Sequence, residues 1–292
     1  MDDDGHARVF GEHRAALFRA AYGILGSVAD SEDAVQETWL RWREKELDAI
    51  ERPRSYLLTA VTRTALNIVR SAERRRESYV GPWLPEPMST GEGADPPHSV
   101  EVAEDVSLAM LVVLESLSPL ERAVFVLREV FDSSYADIAC ALDKSEASVR
   151  QLVHRARSHV RERAPRYPVD PDAQFRVAEM FLEVARGTVA VDELLGALSP
   201  DIVLTTDAGG HASAARRPIS GASKVVRFTA GILSKPDTQA LEWQIAEVNG
   251  APALVGHLGG AVDTVVWFEI DGDRVTRVDM VRNPEKLAHV RV

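Results

Sequence analysis

The chain has 292 residues, room for two or three domains, and its 45% hydrophobic and 27% charged content is that of an ordinary globular protein. No apolar run of about 18 residues is present, and the acidic start MDDDGHARVF has no apolar core. These features predict no membrane-spanning helix and no secretory leader, and with a single cysteine the expected location is the reducing cytoplasm. The single cysteine, Cys140, excludes an intramolecular disulfide and reads as a small core side chain.

Net charge is −11, which argues against a free DNA binder driven by bulk charge. The average conceals contrast. Positions 144–166 hold seven basic residues against two acids, and positions 77–105 hold seven acids and no Lys or Arg. A basic island in an acidic chain points to a local nucleic-acid contact.

Residues 7–76 read as helices, with apolar side chains at helical spacing and few Gly or Pro. Val35, Trp39 and Trp42 form a packing stripe, off which lie Asp33, Gln36, Glu37, Leu40 and Arg41. On the helix over 54–76, Leu57, Val61, Thr64, Ala65, Ile68 and Ala72 line one face. Arg63, Asn67, Arg70 and Arg74 line the other, near Tyr56. That face suits either a nucleic-acid backbone, with Tyr56 stacking on an exposed base, or plain solvent.

Residues 77–107 read as a Pro-rich acidic linker. Residues 108–166 are helical again. Ser118-Pro119-Leu120-Glu121 predicts a capping box with Pro at the first helical position. A short helix capped by Ser134, a tight turn at Asp143-Lys144 and a longer helix from Glu146 have the layout of a helix-turn-helix. Val149, Leu152, Val153, Ala156 and Val160 form the longer helix's apolar stripe, while Arg150, His154, Arg157 and Arg161 share another. Such a helix enters the major groove by its N-terminal end. That nominates Ser145, Glu146, Ser148, Arg150, Gln151 and His154 for base edges, with Arg155 and Arg157 nearer the phosphates.

Residues 167–292 have a different texture. Helices are expected at 171–186, 191–198 and from about 220, then strands at 241–248, 253–257, 264–270 and 274–281. Asn249-Gly250 and Asp271-Gly272 are hairpin-turn dipeptides. Helices followed by an antiparallel sheet predict a separate α+β domain.

Two blocks in order, SVADSEDAVQETWLRW with PRSYLLTAVTRTALNIVRSAERR, and LESLSPLERAVFVLREVFDSSYADIACALDKSEASVRQLVHRARSHVRE, resemble regions 2 and 4 of the sigma-70 family. With regions 1 and 3 absent, the layout is similar to that of extracytoplasmic-function sigma factors. WLPEP at 83–87, DAGG at 207–210 and NPEKL at 283–287 resemble signatures of the group carrying a SnoaL-like C-terminal extension. Three departures are local. Asp143 stands where many relatives have Gly, Ala208 where the group has Gly, and Glu285 where it has Asp.

The resemblance implies two all-α sigma domains, at 1–76 and 108–166, and a cone-shaped α+β SnoaL-like domain at 167–292. It implies RNA polymerase core and promoter DNA as partners, with no membrane and no dedicated anti-sigma protein. Asp33, Gln36, Glu37, Leu40 and Arg41 would dock on the polymerase largest subunit. Tyr56, Arg63, Asn67, Arg70 and Arg74 would engage the minus-10 element. The helix-turn-helix would read the minus-35 element against the second-largest subunit. Trp83, Leu84, Pro85, Glu86 and Pro87 would form a docking peptide, with Asp207, Gly209, Gly210, Asn283, Pro284, Glu285, Lys286 and Leu287 as its regulatory counterparts.

SnoaL-like folds also serve as cyclases and isomerases. Candidate acids and bases are Asp207, His211, His257 and Asp263. Their spacing forces no convergence. Asp207 reads as a turn residue beside glycines and His257 as a core histidine. The expectation is no catalysis, no cofactor and no metal site, with a small ligand of the C-terminal domain left open. The competing reading is a helix-turn-helix regulator fused to a ligand-binding or cyclase-like domain, acting without polymerase.

Overall fold

The structure is a computed structural model describing residues 3–76, 78–90, 107–163 and 171–292. It divides into two compact units. Among the described residues one comprises 3–76 and 110–163, the other 78–90, 107–109 and 171–292.

The first unit is all helix: α1 (Asp3–Leu25), α2 (Val28–Trp42), α3 (Pro53–Arg76), α4 (Leu108–Glu115), α5 (Pro119–Phe125), α6 (Tyr135–Leu142) and α7 (Glu146–Arg163). Gly26, at φ 64°, ends α1, and the Ser27 hydroxyl caps α2 by accepting from the Asp30 N–H at 3.2 Å. Leu17, Phe18, Tyr22, Leu57, Val61 and Trp42 are fully buried where α1, α2 and α3 meet. The Trp42 indole N–H donates to the His6 carbonyl at 3.1 Å, so this core is closed without an orphaned donor at its largest side chain.

The predicted Ser118–Glu121 capping box is present. Beyond α5 the helix widens into one π turn, Val126–Val130. Buried Arg122 donates to the Ile24 carbonyl at 2.9 Å and pairs with Glu115 at 2.5 Å, which ties α5 to the end of α1.

The second unit has α8 (Pro171–Ala185), β1 (Leu198–Asp207), β2 (Ile219–Ser220), α9 (Ala222–Leu233), α10 (Pro236–Gln239), β3 (Glu242–Val248), β4 (Ala251–Leu258), β5 (Ala261–Asp271), β6 (Arg274–Val281) and α11 (Pro284–Leu287). The sheet order is β2-β1-β6-β5-β4-β3. β1 and β6 run parallel and the other pairs antiparallel. Register shifts in three of these pairs bend the sheet. Phe181 and Val184 of α8 and Val225 and Val226 of α9 pack on Leu204, Leu254, Val266, Phe268 and Val278 along one face.

Five expectations from the sequence are corrected. Residues 198–207 form the parallel strand β1, which went unread because a strand ending in DAGG looks like a turn; Asp207 is its last residue and is fully buried. Cys140 is exposed, because Ile138, Ala139 and Ala141 take the buried side of α6. His257 is only half-buried, on β4 near its end, and not in the core. In the last hairpin the turn falls on Gly272 and Asp273, one residue later than the dipeptide read from sequence. Residues 78–90 are more than a connector: they pack along the second unit, with Ser89 bridging Val248.

Candidate nucleic-acid interface and linker clamp

The helix-turn-helix is α6, a turn and α7. The Ser134 hydroxyl accepts from the Asp137 N–H at 3.0 Å and so starts α6. Asp143 ends it in the left-handed region (φ 52°, ψ 53°), where Asp is tolerated better than most residues. Ser145 then caps α7 through the Ser148 N–H at 3.2 Å. The apolar stripe Val149, Leu152, Val153, Ala156 and Val160 is buried throughout. Ser145, Glu146, Arg150, Gln151, His154 and Arg155 are consequently exposed, with Ser148 and Arg157 half-buried. Arg150 lies over the Tyr135 ring at 4.9 Å and pairs with Glu146 at 2.9 Å, while Arg157 pairs with Glu129 at 2.8 Å.

On α2, Asp33, Gln36, Glu37, Leu40 and Arg41 form an exposed face, and Leu40 is 49% exposed. Arg41 pairs with Glu37 on this face. On α3, Asn67 and Arg70 face solvent, while Tyr56 is half-buried with its ring 5.7 Å from Trp42. Arg74 has its backbone in α3, but its side chain lies outside the described residues.

Arg63 is engaged. It donates to the Ala141 carbonyl at 2.8 Å and the Cys140 carbonyl at 2.6 Å, at the C-terminal end of α6. At the other end of α6, Asp137 accepts from Arg52 at 3.0 Å and Ser55 at 3.1 Å. The Ser134 hydroxyl, opposed by partial burial and aided by Ser55 and Arg52, holds Asp137 below the usual carboxylate range. Arg52, with Ser55 and Arg63 of α3, thus grips α6 at both ends; Arg63 at its C-terminal end and Asp137 in its first turn carry the signs the α6 dipole favours, while Arg52 acts through its pair with Asp137. Periodicity showed the basic stripe but gave no sign of this partner.

The second site lies within the C-terminal unit. Asp207 accepts from the Tyr79 hydroxyl at 2.5 Å, the Leu84 N–H at 2.8 Å and Lys286 Nζ at 2.7 Å. Lys286 also donates to the Leu84 carbonyl at 2.5 Å, and its Nζ stands 3.8 Å from the Trp83 ring centroid. Asn283 caps α11 through the Glu285 N–H at 3.0 Å and donates to Tyr79 at 2.9 Å. The Tyr79 hydroxyl is raised above its ordinary value, by burial first and then by its hydrogen bond to Asp207.

The glycines of DAGG have a mechanical reason. A Cβ on Gly209 (φ +57°) would stand 2.6 Å from Asn283 Nδ2. Gly210 (φ +87°) faces Val80. Ala208 is buried and its φ is not positive, so that position makes no demand for glycine. Farther on, Met88 exchanges two 2.8 Å bonds with Asn249, and the Pro87 carbonyl meets His289 Nε2 at 2.8 Å. Leu84, Pro85, Glu86 and Pro87 are buried and Trp83 is half-buried. Leu287 is buried; Glu285 is exposed, 3.9 Å from His211. Tyr79 lies outside the recognisable motifs, and Asn249 is legible in the sequence only as a hairpin-turn residue, with no sign of its bonds to Met88.

The candidate acids and bases do not converge. Asp207 holds the linker, Asp263 pairs with Arg282 at 2.7 Å, His211 is half-exposed in a loop and His257 lies on β4. Among the described residues no cluster of His, Cys, Asp and Glu is placed to hold a metal ion, and no helix is long and apolar enough to cross a membrane.

Residues 9–75 match the family model for sigma-70 region 2, and residues 107–160 match that for sigma-70 region 4. The chain is 42% identical over 223 residues to the ECF RNA polymerase sigma factor SigJ of Mycobacterium tuberculosis, covering 76% of this chain and 71% of that one. It is 30% identical over 281 residues to the probable ECF RNA polymerase sigma factor SigI of that species, covering 96% and 93%. The crystal structure of M. tuberculosis SigJ superposes with a TM-score of 0.78 at 35% identity, over 96% of this chain and 98% of that one.

Proposed function

The chain belongs to the extracytoplasmic-function group of the sigma-70 family, as a promoter-specific initiation factor for RNA polymerase with a SnoaL-like C-terminal domain, and we propose how its parts divide that work. The exposed α2 face, with Asp33, Gln36, Glu37, Leu40 and Arg41, docks on the polymerase largest subunit. Arg63, Asn67, Arg70 and Arg74, with Tyr56, engage the minus-10 element. Ser145, Glu146, Ser148, Arg150, Gln151 and His154 read the minus-35 element, and Arg155 and Arg157 hold phosphates. The factor acts in the cytoplasm without a dedicated anti-sigma protein. Its C-terminal domain is a regulator in cis and not an enzyme, a reading supported by the scattered acids and bases.

The observation that carries this reading is the grip of Asp207 and Lys286 on residues 79–84. A connector anchored by a buried ion pair transmits the state of one domain to the chain leading into the next. In the sigma unit, engagement of the minus-10 element by Arg63 requires α3 to release α6.

Transcription in vitro with purified core polymerase tests the assignment. Promoter-specific transcripts are expected, with Arg150→Ala and Gln151→Ala relaxing minus-35 preference by about 1–3 kcal/mol per lost base contact. Absence of specific initiation by every form of the chain, including one lacking residues 170–292, would overturn it.

A further inference from the structure

Two local irregularities stand immediately before the helix-turn-helix, and packing alone does not call for either. One is the π turn Val126–Val130, closed by the Phe131 N–H donating to the Val126 carbonyl at 3.3 Å. Such a turn carries one residue more than an α-helical turn and is found frequently at functional sites. The other is Asp132, held at φ 46° in the left-handed region that side chains with a Cβ seldom adopt.

What they place is Arg128. It lies inside the π turn, donates to the Ser133 carbonyl at 2.8 Å and pairs with Asp132 at 3.1 Å. Its guanidinium carbon stands 5.1 Å from the ring centre of Tyr135, the first residue of α6. Arg150 of α7 reaches the same ring at 4.9 Å. Two cations brought to one ring repel each other unless each is neutralised. Here each has its own acid four residues away, Asp132 for Arg128 and Glu146 for Arg150. The result is a charge-balanced chain, Asp132–Arg128–Tyr135–Arg150–Glu146, from the π turn to the N-terminal end of α7.

Arg150 is 59% exposed, a long side chain in water. Reading a guanine edge requires its planar fork in one orientation, and fixing a mobile side chain on binding costs affinity. The pair with Glu146 is a single anchor about which the fork can swing. The ring face is a second, and a guanidinium stacked on it has its plane set.

We infer that Tyr135 is a positioning residue for the minus-35 element: its ring, steadied by Arg128 from the π turn, holds Arg150 in the orientation that reads one base pair. The inference rests on the assignment of Arg150 to a base edge proposed above.

The test uses core polymerase carrying the full chain and a promoter library randomised over the minus-35 element. Arg150→Ala identifies the pair that Arg150 reads, as the position whose preference collapses. Tyr135→Leu should lower the preference at that same pair about two- to fivefold, the worth of a cation over an exposed ring, and leave the other positions as they are. Tyr135→Phe keeps the ring and should match the wild-type chain. Arg128→Ala should act at the same pair in the same sense, by about twofold. In the Arg150→Ala background, Tyr135→Leu should change nothing further. A uniform loss across the element with Tyr135→Leu, which a misplaced helix would give, would overturn the positioning role. So would full preference retained, or Tyr135→Phe behaving like Tyr135→Leu. An unchanged pattern with Arg128→Ala would overturn the part given to the π turn. If Arg150→Ala leaves every position unchanged, the assignment of Arg150 itself falls and the role of Tyr135 with it.

Discussion

The molecule holds itself together by polar grips at two places, and they differ in kind. In the sigma unit, Arg52 and Arg63, just before and within α3, grip α6 through side chains that stay in water: Arg52 is 72% exposed and Arg63 is also exposed. In the C-terminal unit, Asp207 and Lys286 grip the linker from positions 0% and 6% exposed. Exposed pairs contribute about 0–1 kcal/mol and are screened by salt. Breaking a buried pair from one side leaves a stranded charge that costs about 3–5 kcal/mol. The first grip is weak enough for a competing partner to displace. The second is a structural joint that yields only when its surroundings change.

Breaking the buried joint has the largest expected effect. Lys286→Met should destabilise the C-terminal unit by about 3–5 kcal/mol in denaturant unfolding, and Asp207→Asn added to it should recover much of the loss. A single-variant cost below about 1 kcal/mol would mean that the joint is wetter than described. Gly209→Ala attacks the same joint sterically. Its Cβ would meet Asn283 Nδ2 at 2.6 Å in a left-handed backbone, so a loss of about 1–3 kcal/mol is expected by thermal unfolding.

The sheet beside the joint carries another buried charge. Burial, partly offset by Arg277 and reinforced by Asp279, raises Glu269 from 4.5 to about 7. The folded state then binds a proton that the unfolded state has released, so stability should fall as pH rises from about 5 to 7. Replacing Glu269 by Gln should remove that slope, about 2 kcal/mol across the window; an unchanged slope assigns it elsewhere.

The smallest effect belongs to the exposed grip. Arg63→Ala should cost about 0.3–1 kcal/mol, and added salt should narrow the gap from wild type. Hydrogen exchange of α6 amides would register the loosening. The lowered pKa of Asp137 gives the same grip a pH sense: its contribution is present above the ordinary carboxylate pKa and is lost as pH falls through the lowered one.

Much of this was legible because local chemistry decided it. Ser118, Ser134 and Ser145 cap helices where side-chain and backbone rules say they should. The α7 stripe is buried as its spacing requires. What stayed hidden depended on distant partners. Strand β1 has hydrogen-bonding neighbours over 60 residues away in β6, and nothing local distinguishes its end from a turn. Arg63 reads as a phosphate contact until α6 is placed against it. The motif residues Asp207, Asn283 and Lys286 could be named, but their shared object, the backbone and side chains of 79–84, emerged only in three dimensions.

Promoter-specific transcription by core polymerase with Trp83→Ala, set beside the wild-type chain, tests the central claim most directly. The substitution removes the ring that Lys286 faces and leaves the sigma unit's residues intact. If the docked linker governs the factor in cis, transcript yield should change by about tenfold, the factor matching ~1.4 kcal/mol. Deleting residues 170–292 should shift it the same way. Equal yields from wild type and Trp83→Ala, with the linker shown by cross-linking to be released, would contradict the account.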